Sequence, residues 1–239
     1  MVEAPFLSIV ISAYNEANRI GATLLGIYDY MASKNYEYEI ILIDDGSTDM
    51  TCDVAGKSIL AQNGHLRIIC NEKNMGKGYS VTRGMKNSAG EYVLFTDADL
   101  STPISEIEKL FKAIKNGCDI AIGSRAVKSS LVVVPQVWYR TMMGRIFNFL
   151  VRFLALKGIH DTQCGFKLFK GVFARELAGS MIIDGFCFGV EMLCLARNKG
   201  YRISEVGILL ENFPERKVRI MNSSVQMFFN LLGLSKGHL

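Results

Sequence analysis

The stretch EYVLFTDADLSTP, residues 91–103, decides the fold, because it joins a strand pattern to two acids. Four apolar residues run into Asp97 and Asp99, which are two positions apart and would point to the same face of an extended chain. Two carboxylates so close repel each other, and burying them without a partner is costly. A divalent cation such as Mg²⁺, which binds carboxylate and phosphate oxygens, accounts for the pair. The stretch therefore predicts a metal–phosphate site at the carboxyl end of a strand.

Strand and helix patterns alternate through the first half of the chain. Continuous apolar runs typical of strands covered on both faces lie at 7–13, 39–44, 66–70, 92–96 and 119–125. A helical pattern follows each of the first four runs. The first starts at Asn15 and Glu16 and ends near Lys34, the second ends near Gln62, the third ends near Ser88, and the fourth covers 105–117. In the last of these, Ser105 and Glu108 have the spacing of a capping box. The alternation predicts an α/β fold with a doubly wound, mainly parallel sheet.

Ligands of such sheets bind outside the carboxyl ends of the strands. The polar clusters of this chain fall at those ends, namely Asn15 and Glu16, Asp44 and Asp45, Lys77, Asp97 and Asp99, and Ser124 and Arg125. Their shared position predicts one site rather than several.

Two of these clusters have a plain structural alternative. Residues 44–49 (DDGSTD) suit a turn with Thr48 or Asp49 as a helix N-cap, which leaves Asp45 to accept hydrogen bonds, for instance from a nucleobase N–H. Residues 74–78 (NMGKG) suit either a turn or a phosphate contact by Lys77 at a helix start. Neither an ATPase P-loop nor a dinucleotide-binding fingerprint is present in the sequence.

The second half of the chain has a different pattern. Residues 136–157 predict amphipathic helices with a narrow polar stripe and a wide apolar face, and the tail 216–239 repeats the pattern. Residues 161–173 indicate a turn and a strand, 189–200 a helix and 201–213 another strand. For 136–157 the apolar face favours attachment to a membrane surface, and packing on the sheet or on a second subunit is the alternative. For the tail this alternative is nearly as well supported as membrane attachment.

Composition narrows the class of protein. With 49% hydrophobic and 21% charged residues among 239, the chain is not disordered. A net charge of +4 does not indicate a nucleic-acid partner. Six scattered cysteines without a C-x-x-C pair are typical of reduced, mostly buried residues in a cytosolic protein. No apolar stretch reaches the length of about 18 residues that a transmembrane helix needs, so none is expected.

Six motifs carry a family resemblance. In the order ISAYNEANRI, IDDGSTDMT, NEKNMGKGYSVTRGM, FTDADLSTP, IGSR and DTQCGFKLF, the chain resembles the family 2 glycosyltransferases. Within them it resembles the polyprenyl-phosphate sugar synthases, and the form TDADLSTP looks most like the dolichyl-phosphate β-glucosyltransferases. The resemblance extends to about Phe213. It implies a GT-A (Rossmann-like) catalytic domain over 1–215, including membrane-interface helices at 136–157, and a separate amphipathic tail at 216–239.

The activity that the resemblance implies is inverting transfer of a hexose to a lipid phosphate. Glucose from UDP-glucose would pass to a polyprenyl (dolichyl) phosphate, with Mg²⁺ or Mn²⁺ as cofactor, on the cytoplasmic face of a membrane to which the protein attaches peripherally. A GDP-mannose-dependent enzyme of the same class and a soluble family 2 enzyme acting on a saccharide are the alternatives. A binder without catalysis is disfavoured by the intact acids and cations, and a homo-oligomer is left open.

The resemblance also implies roles for individual residues. The nucleotide-sugar site would comprise Ala13, Tyr14, Glu16, Asp45, Lys77, Asp97 and Asp99, with Asp45 on the base and Asp99 on the metal. The catalytic residues would be Asp97, Asp99, Arg125 and Asp161. The acceptor phosphate would be bound by Arg125, Gln163 and Lys167. For Asp161 a turn acid or an N-cap is an equal alternative, and His160 is expected to be structural.

Overall fold

The computed structural model describes residues 4–127, 130–132, 156 and 158–211. Apart from the buried Leu156, the segment 136–157 and the tail 216–239 lie outside the described residues, so their amphipathic helices and the domain boundary stay predictions. None of the helices in the described part combines the length and the apolarity that crossing a bilayer requires.

Seven strands form one sheet in the order β3-β2-β1-β4-β7-β5-β8, and β6 and β9 form a small parallel pair. The strands are β1 (Leu7–Ala13), β2 (Tyr38–Asp44), β3 (Leu66–Cys70), β4 (Tyr92–Asp97), β5 (Ile120–Ser124), β6 (Leu131–Val132), β7 (Phe166–Lys170), β8 (Ile203–Gly207) and β9 (Leu209–Leu210). All neighbours in the large sheet are parallel except β7, which lies antiparallel between β4 and β5. The predicted doubly wound, mainly parallel sheet is confirmed.

Helices cover both faces of this sheet. They are α1 (Ala17–Met31), α2 (Thr51–Gly56), α3 (Ile59–Gln62), α4 (Lys77–Lys86), α5 (Ile107–Lys115), α6 (Gly171–Ser180) and α7 (Phe188–Asn198). Alternate residues of β1 point to opposite faces, so that Ile9 packs in the core under α1 and α5, and Val10 in the core under α4, α6 and α7. Each strand therefore needs apolar residues at successive positions, which produces the continuous runs in the sequence.

Three local predictions are wrong. The helix expected to continue to Gln62 is divided into α2 and α3, because Ser58 caps α3 by accepting a hydrogen bond from the Ala61 N–H at 3.3 Å. A 3-10 turn (Ile104–Glu106) precedes α5, and no side chain caps either element. The supposed capping-box residue Glu108 instead accepts hydrogen bonds from the Tyr30 hydroxyl and the Lys34 ammonium.

The third difference concerns residues 161–173. The strand ends at Lys170 and helix α6 begins at Gly171, where the sequence pattern predicted a strand as far as 173. A side chain at Gly171 could not fit, since its Cβ would lie 2.1 Å from the carbonyl oxygen of Gly90. The close approach of two backbone segments therefore requires a glycine where the strand changes to helix α6. The local sequence pattern gives no sign of this approach.

Candidate active site

The two acids of the opening stretch lie at the carboxyl end of the central strand β4. Asp97 is its last residue, and Asp99 lies in the turn that follows. Leu100 has a φ of +43°, which turns the chain away from the strand direction, and Asp99 Oδ1 accepts hydrogen bonds from the Ser101 N–H, at 3.0 Å, and from the Ser101 hydroxyl. The expectation that strand alternation aligns the two acids is therefore wrong, because a turn places Asp99.

Asp97 is tightly enclosed. Its N–H donates to the Gly165 carbonyl at 3.2 Å, and a Cβ on Gly165 would lie 2.2 Å from Asp97 Oδ2. The Lys77 ammonium lies 2.6 Å from Asp97 Oδ1. Gly165 is a residue of the site that the sequence analysis missed, although a glycine directly before an apolar strand was a usable signal.

Lys77 is the first residue of α4, and a glycine turn sets its position. Gly76 has a φ of +108°, and a Cβ there would lie 2.4 Å from the Asp184 carbonyl oxygen. That oxygen accepts a hydrogen bond from the Gly78 N–H at 2.7 Å. The buried Glu191 carboxylate in turn accepts from the N–H groups of Ile182 and Ile183. Burial raises the pKa of Glu191, and its two hydrogen bonds hold the segment against which Lys77 starts its helix.

Asp45 follows β2 and is buried with both carboxylate oxygens already engaged. Oδ1 accepts from Asn71 Nδ2 at 2.7 Å and from the Met75 N–H at 2.9 Å, and Oδ2 accepts from the Gly76 N–H at 2.9 Å. Its own N–H donates to the Ala13 carbonyl at 2.8 Å. Asp45 therefore ties the ends of β1 and β2 to the loop before Lys77, and its contact with a base stays a prediction.

The end of β1 is joined to the loop after β2. Asn15, with a φ of +55°, donates its N–H to Ser47 Oγ and accepts from the Thr48 N–H at 2.8 Å. Tyr14 is 44% exposed at this edge. Glu16 pairs with Arg19 at 2.9 Å. Tyr14 and Glu16 thus lie on the β1–β2 side of the sheet edge, beside the loop that Asp45 holds.

Arg125 and Asp161 form a two-point ion pair on the other side of the edge. Arg125 Nε lies 2.6 Å from Asp161 Oδ2, and Arg125 Nη2 lies 2.7 Å from Oδ1. Asp161 is fully buried. Burial opposes its ionisation, yet the hydrogen bonds and the charge of Arg125 lower the pKa of Asp161 overall. The carboxylate orients the guanidinium, and it also accepts from the Gln163 N–H two residues on, at 3.2 Å, so it serves the turn as well.

Lys167 lies beneath the surface. It is only 1% exposed, and its ammonium donates to the Cys164 carbonyl. Helices pack on both faces of the sheet, and β7 contributes Phe166 to one core and Phe169 to the other, so burial lowers the pKa of Lys167. Direct contact of Lys167 with an acceptor phosphate stays a prediction, and it would require the ammonium to become exposed.

A small open cleft brings part of the predicted site together. It is lined by Thr96, Asp97, Ser101, Thr102, Arg125, Gln163, Cys164, Gly165 and Leu210. The Nε2 of Gln163 is buried and meets no acceptor among the described residues. The cleft therefore offers a fixed cation and an amide N–H donor next to Asp97, an arrangement suited to an anionic group.

The donor set also fits a hard divalent cation. Mg²⁺ and Mn²⁺ sites often use one or two carboxylates and take the remaining oxygens from substrate phosphates and water. Asp99, held by Ser101, offers such a carboxylate next to the cleft. A third acid or histidine does not join Asp97 and Asp99 in the described part of the chain, so a cation here would depend on oxygens from a ligand.

Comparison with known proteins identifies the class of protein as a glycosyltransferase. The model of the family described as glycosyl transferase family 2 matches residues 8–177, and the chain belongs to this family. It is 34% identical to the dolichyl-phosphate beta-glucosyltransferase of Homo sapiens over 238 residues, covering 95% of this chain and 74% of that protein. It is 36% identical to the protein of that name from Drosophila melanogaster, covering 92% and 72%.

Solved structures agree with the fold. Glucosyl-3-phosphoglycerate synthase from Mycobacterium tuberculosis, in complex with Mn²⁺, UDP and glucosyl-3-phosphoglycerate, superposes with a TM-score of 0.71 at 19% identity, covering 97% of this chain and 80% of that one. Mannosyl-3-phosphoglycerate synthase from Rubrobacter xylanophilus gives 0.71 at 18% identity, covering 98% and 76%. At this identity the likeness confirms the GT-A architecture alone.

Proposed function

We propose that the protein transfers glucose from UDP-glucose to a dolichyl or other polyprenyl phosphate, with inversion at the anomeric carbon. The observation that carries the proposal is the cleft in which Asp161 fixes the Arg125 guanidinium beside Asp97 and the side-chain Nε2 of Gln163, for which the described residues provide no acceptor. Such a cleft suits an acceptor that is itself a phosphate. The relatives named dolichyl-phosphate beta-glucosyltransferase support the choice of sugar and lipid.

The donor would lie along the carboxyl ends of β1, β2 and β4. Ala13, Tyr14, Glu16 and Asp45 would surround the nucleotide, with Asp45 either binding the base or shaping its pocket through the loop that it holds. Asp97 and Asp99 would face the sugar and the diphosphate. Lys77 now pairs with Asp97 at 2.6 Å and is close enough to share its charge with a diphosphate.

Departure of the diphosphate requires positive charge, because the leaving group gains negative charge as the glycosidic bond breaks. Asp99 would hold a divalent cation, Mg²⁺ or Mn²⁺, which when bound neutralises diphosphate oxygens. Lys77 and Arg125 supply charge from the chain itself. A structural neighbour solved with Mn²⁺ and UDP supports the metal requirement.

The acceptor phosphate would approach the anomeric carbon from the face opposite the diphosphate. A phosphate monoester is anionic near neutral pH, so its oxygen can attack without a strong general base. Arg125 and Gln163 would bind it, and Asp161 would act as a positioning residue for Arg125. Lys167, which is only 1% exposed, would add positive electrostatic potential for the acceptor phosphate without touching it.

A lipid acceptor implies contact with a membrane surface. We propose that the catalytic domain, residues 1–215, attaches peripherally to the cytoplasmic leaflet. It would do so through its own segment 136–157 and through the tail 216–239, since both segments have wide apolar faces in the sequence. A long polyprenyl chain would then stay in the bilayer while its phosphate enters the cleft.

The test combines a donor panel with removal of the metal. Purified protein, a polyprenyl phosphate and Mg²⁺ or Mn²⁺ are incubated with UDP-glucose, UDP-galactose, UDP-GlcNAc or GDP-mannose, and lipid-linked sugar is measured. We expect transfer from UDP-glucose and its loss in EDTA. Asp99→Asn should lower turnover by about three orders of magnitude while the fold is retained, because a charged metal ligand is lost.

Three results would contradict these assignments. Preference for GDP-mannose would make the protein the mannosyl enzyme of the same class. Transfer to a free saccharide but not to a lipid phosphate would remove the acceptor assignment. Full activity in EDTA, or an Asp99→Asn variant with normal turnover, would remove the metal.

A further inference from the structure

A second cluster of metal-ligating side chains lies outside the cleft, at the ends of β2 and β3. Asp44 and Cys70 are the last residues of these strands and are paired in register across the sheet. Cys52, the second residue of α2, lies against them, with its Sγ 3.4 Å from Cys70 Sγ. One ligand atom from each of the three side chains lies within 4.8 Å of the other two.

These distances suit a tetrahedral site for a soft divalent ion. Zn²⁺ binds thiolates at about 2.3 Å and carboxylate oxygens at about 2.1 Å, so ligand atoms of one tetrahedral ion lie roughly 3.5–3.8 Å apart. The two sulfur atoms are slightly closer than that, at 3.4 Å. Small side-chain rotations would therefore open the cluster to the required spacing, and a water molecule would complete the coordination.

Asp44 provides an independent reason to expect a ligand. The residue is 97% buried, one carboxylate oxygen accepts from the Ser47 N–H at 3.0 Å, and no nitrogen or oxygen donor of the described residues reaches the other, Oδ1. The Cys52 thiol is the donor that lies against Asp44, and a thiol donates only weakly, so burial of this carboxylate is costly.

We propose that Asp44, Cys52 and Cys70 form a binding site for Zn²⁺ or an ion of similar softness. The ion would replace two thiol protons and satisfy Asp44 Oδ1, which turns a costly buried group into a ligand. Two thiolates and one carboxylate favour Zn²⁺ over the hard cations Mg²⁺ and Mn²⁺. The site is thus distinct in chemistry from the one proposed at Asp99.

The position of the site gives the ion a structural role. Asp44 precedes Asp45, and Cys70 precedes Asn71, which donates to Asp45. A bound ion would join β2, β3 and the start of α2 directly behind the loop that Asp45 holds. Binding of Zn²⁺ should therefore raise the melting temperature, with a stabilisation that grows as the logarithm of the free Zn²⁺ concentration divided by Kd, whether or not the protein transfers glucose.

The first experiment is a titration of metal-free, full-length protein with Co²⁺ under a thiol-free reductant. We expect one ion per chain with thiolate-to-cobalt charge-transfer absorption, which Zn²⁺ abolishes by displacement. Cys52→Ser and Cys70→Ser should each weaken binding by about tenfold or more and reduce the charge-transfer band. Cys118→Ala, a buried cysteine outside the cluster, is the matched control and should bind as the wild type does.

The second experiment needs no variant, so it stands even if a substitution unfolds the chain. Alkylation of the wild-type protein is followed by mass spectrometry, with and without Zn²⁺, and the ion should protect Cys52 and Cys70. Equal alkylation in both conditions, absence of the charge-transfer band, or an unchanged band in the Cys52→Ser/Cys70→Ser double variant would overturn the proposal. Formation of a Cys52–Cys70 disulfide in air, with no metal bound under reductant, would overturn it as well.

Discussion

The two sides of the sheet edge hold their side chains by different forces. On the side of β1, β2 and β3, Asp45 accepts hydrogen bonds from the Met75 and Gly76 N–H groups and from Asn71. On the side of β5 and β7, the Arg125 guanidinium is fixed by the buried Asp161 carboxylate. One side is organised by backbone amides around a single acid, and the other by opposite charges.

The difference matches the chemistry that each side would perform in the proposed reaction. Amide hydrogen bonds fix the shape of a loop, which suits selection of a nucleotide by its outline. A guanidinium held by a buried acid keeps its orientation and its full charge, which suits an anionic acceptor. The cost of disturbing the two sides should therefore differ, and the following experiments measure that difference, from the largest expected effect to the smallest.

Asp161→Asn should have the largest effect on stability. It leaves the Arg125 guanidinium without its counter-charge beside a fully buried side chain, and losing one partner of a buried ion pair costs about 3 kcal/mol or more. Urea denaturation measures the change in the free energy of unfolding.

The control for Asp161→Asn is an exposed ion pair of the same kind. Glu108→Gln breaks the contact between Glu108 and Lys34, where the acid is 55% exposed, and should cost less than about 1 kcal/mol. Equal losses from the two substitutions would mean that the charge-organised side is no more strongly held than the surface.

Gly165→Ala should impair transfer more than stability. The new Cβ would lie 2.2 Å from Asp97 Oδ2, so the acid must move, and a displacement of about 1 Å at a reacting centre costs roughly 100-fold in turnover. Gly179→Ala, in α6 with open space around its Cβ, is the matched control and should leave turnover unchanged. Normal turnover in Gly165→Ala would show that the position of Asp97 does not limit the reaction.

Asp45→Ala tests the amide-organised side. It removes three hydrogen bonds to a carboxylate and frees the loop before Lys77, at a cost of about 2 kcal/mol. Because this loop would act on donor binding in ground and transition state alike, the KM for the donor should rise roughly tenfold while kcat falls less. A collapse of kcat at unchanged donor affinity would place Asp45 in the chemistry.

The smallest effect concerns pH and Asp119, which precedes the amino end of β5, at the opposite end of that strand from Arg125. Burial would raise the pKa of Asp119, but hydrogen bonds from Lys170 and from the Arg202 N–H lower it to about 2. Its contribution to stability is therefore complete above the unfolded pKa of about 4 and is lost as the pH falls towards 2. Asp119→Asn should remove about 1–2 kcal/mol at neutral pH and flatten stability between pH 4 and 2. An unchanged acid slope would contradict the assignment.

The same contrast explains how much of the fold and the site the sequence could predict. The strands next to Asp45 and Asp97 were predictable because burial on both faces requires continuous apolar residues, and the acids that follow each strand were predictable as a shared edge. The roles of Asp161 and Lys167 were not, since each depends on a strand that inserts antiparallel into the sheet from far along the chain. A local pattern contains no information about such a neighbour.

The contacts of Gly165 and of the Cys52–Cys70 pair likewise could not be predicted from the local sequence. A side chain at Gly165 would collide with the Asp97 carboxylate, and the contact between Cys52 and Cys70 spans 18 positions of the sequence. The expectation of reduced, mostly buried cysteines is confirmed, since all six are free and four are buried, while Cys52 is half-buried and Cys70 is exposed.

The sequence by itself determined the α/β class, the sheet edge that carries the site and the family, because hydrophobic periodicity and the order of short motifs are properties of the chain alone. The tertiary structure decided which acids are engaged and which cation is open to a ligand. Those properties follow from burial and from partners distant in sequence, as the fully buried Asp161 beneath Arg125 illustrates. Electrostatic roles are set by three-dimensional surroundings, and only the folded chain supplies them.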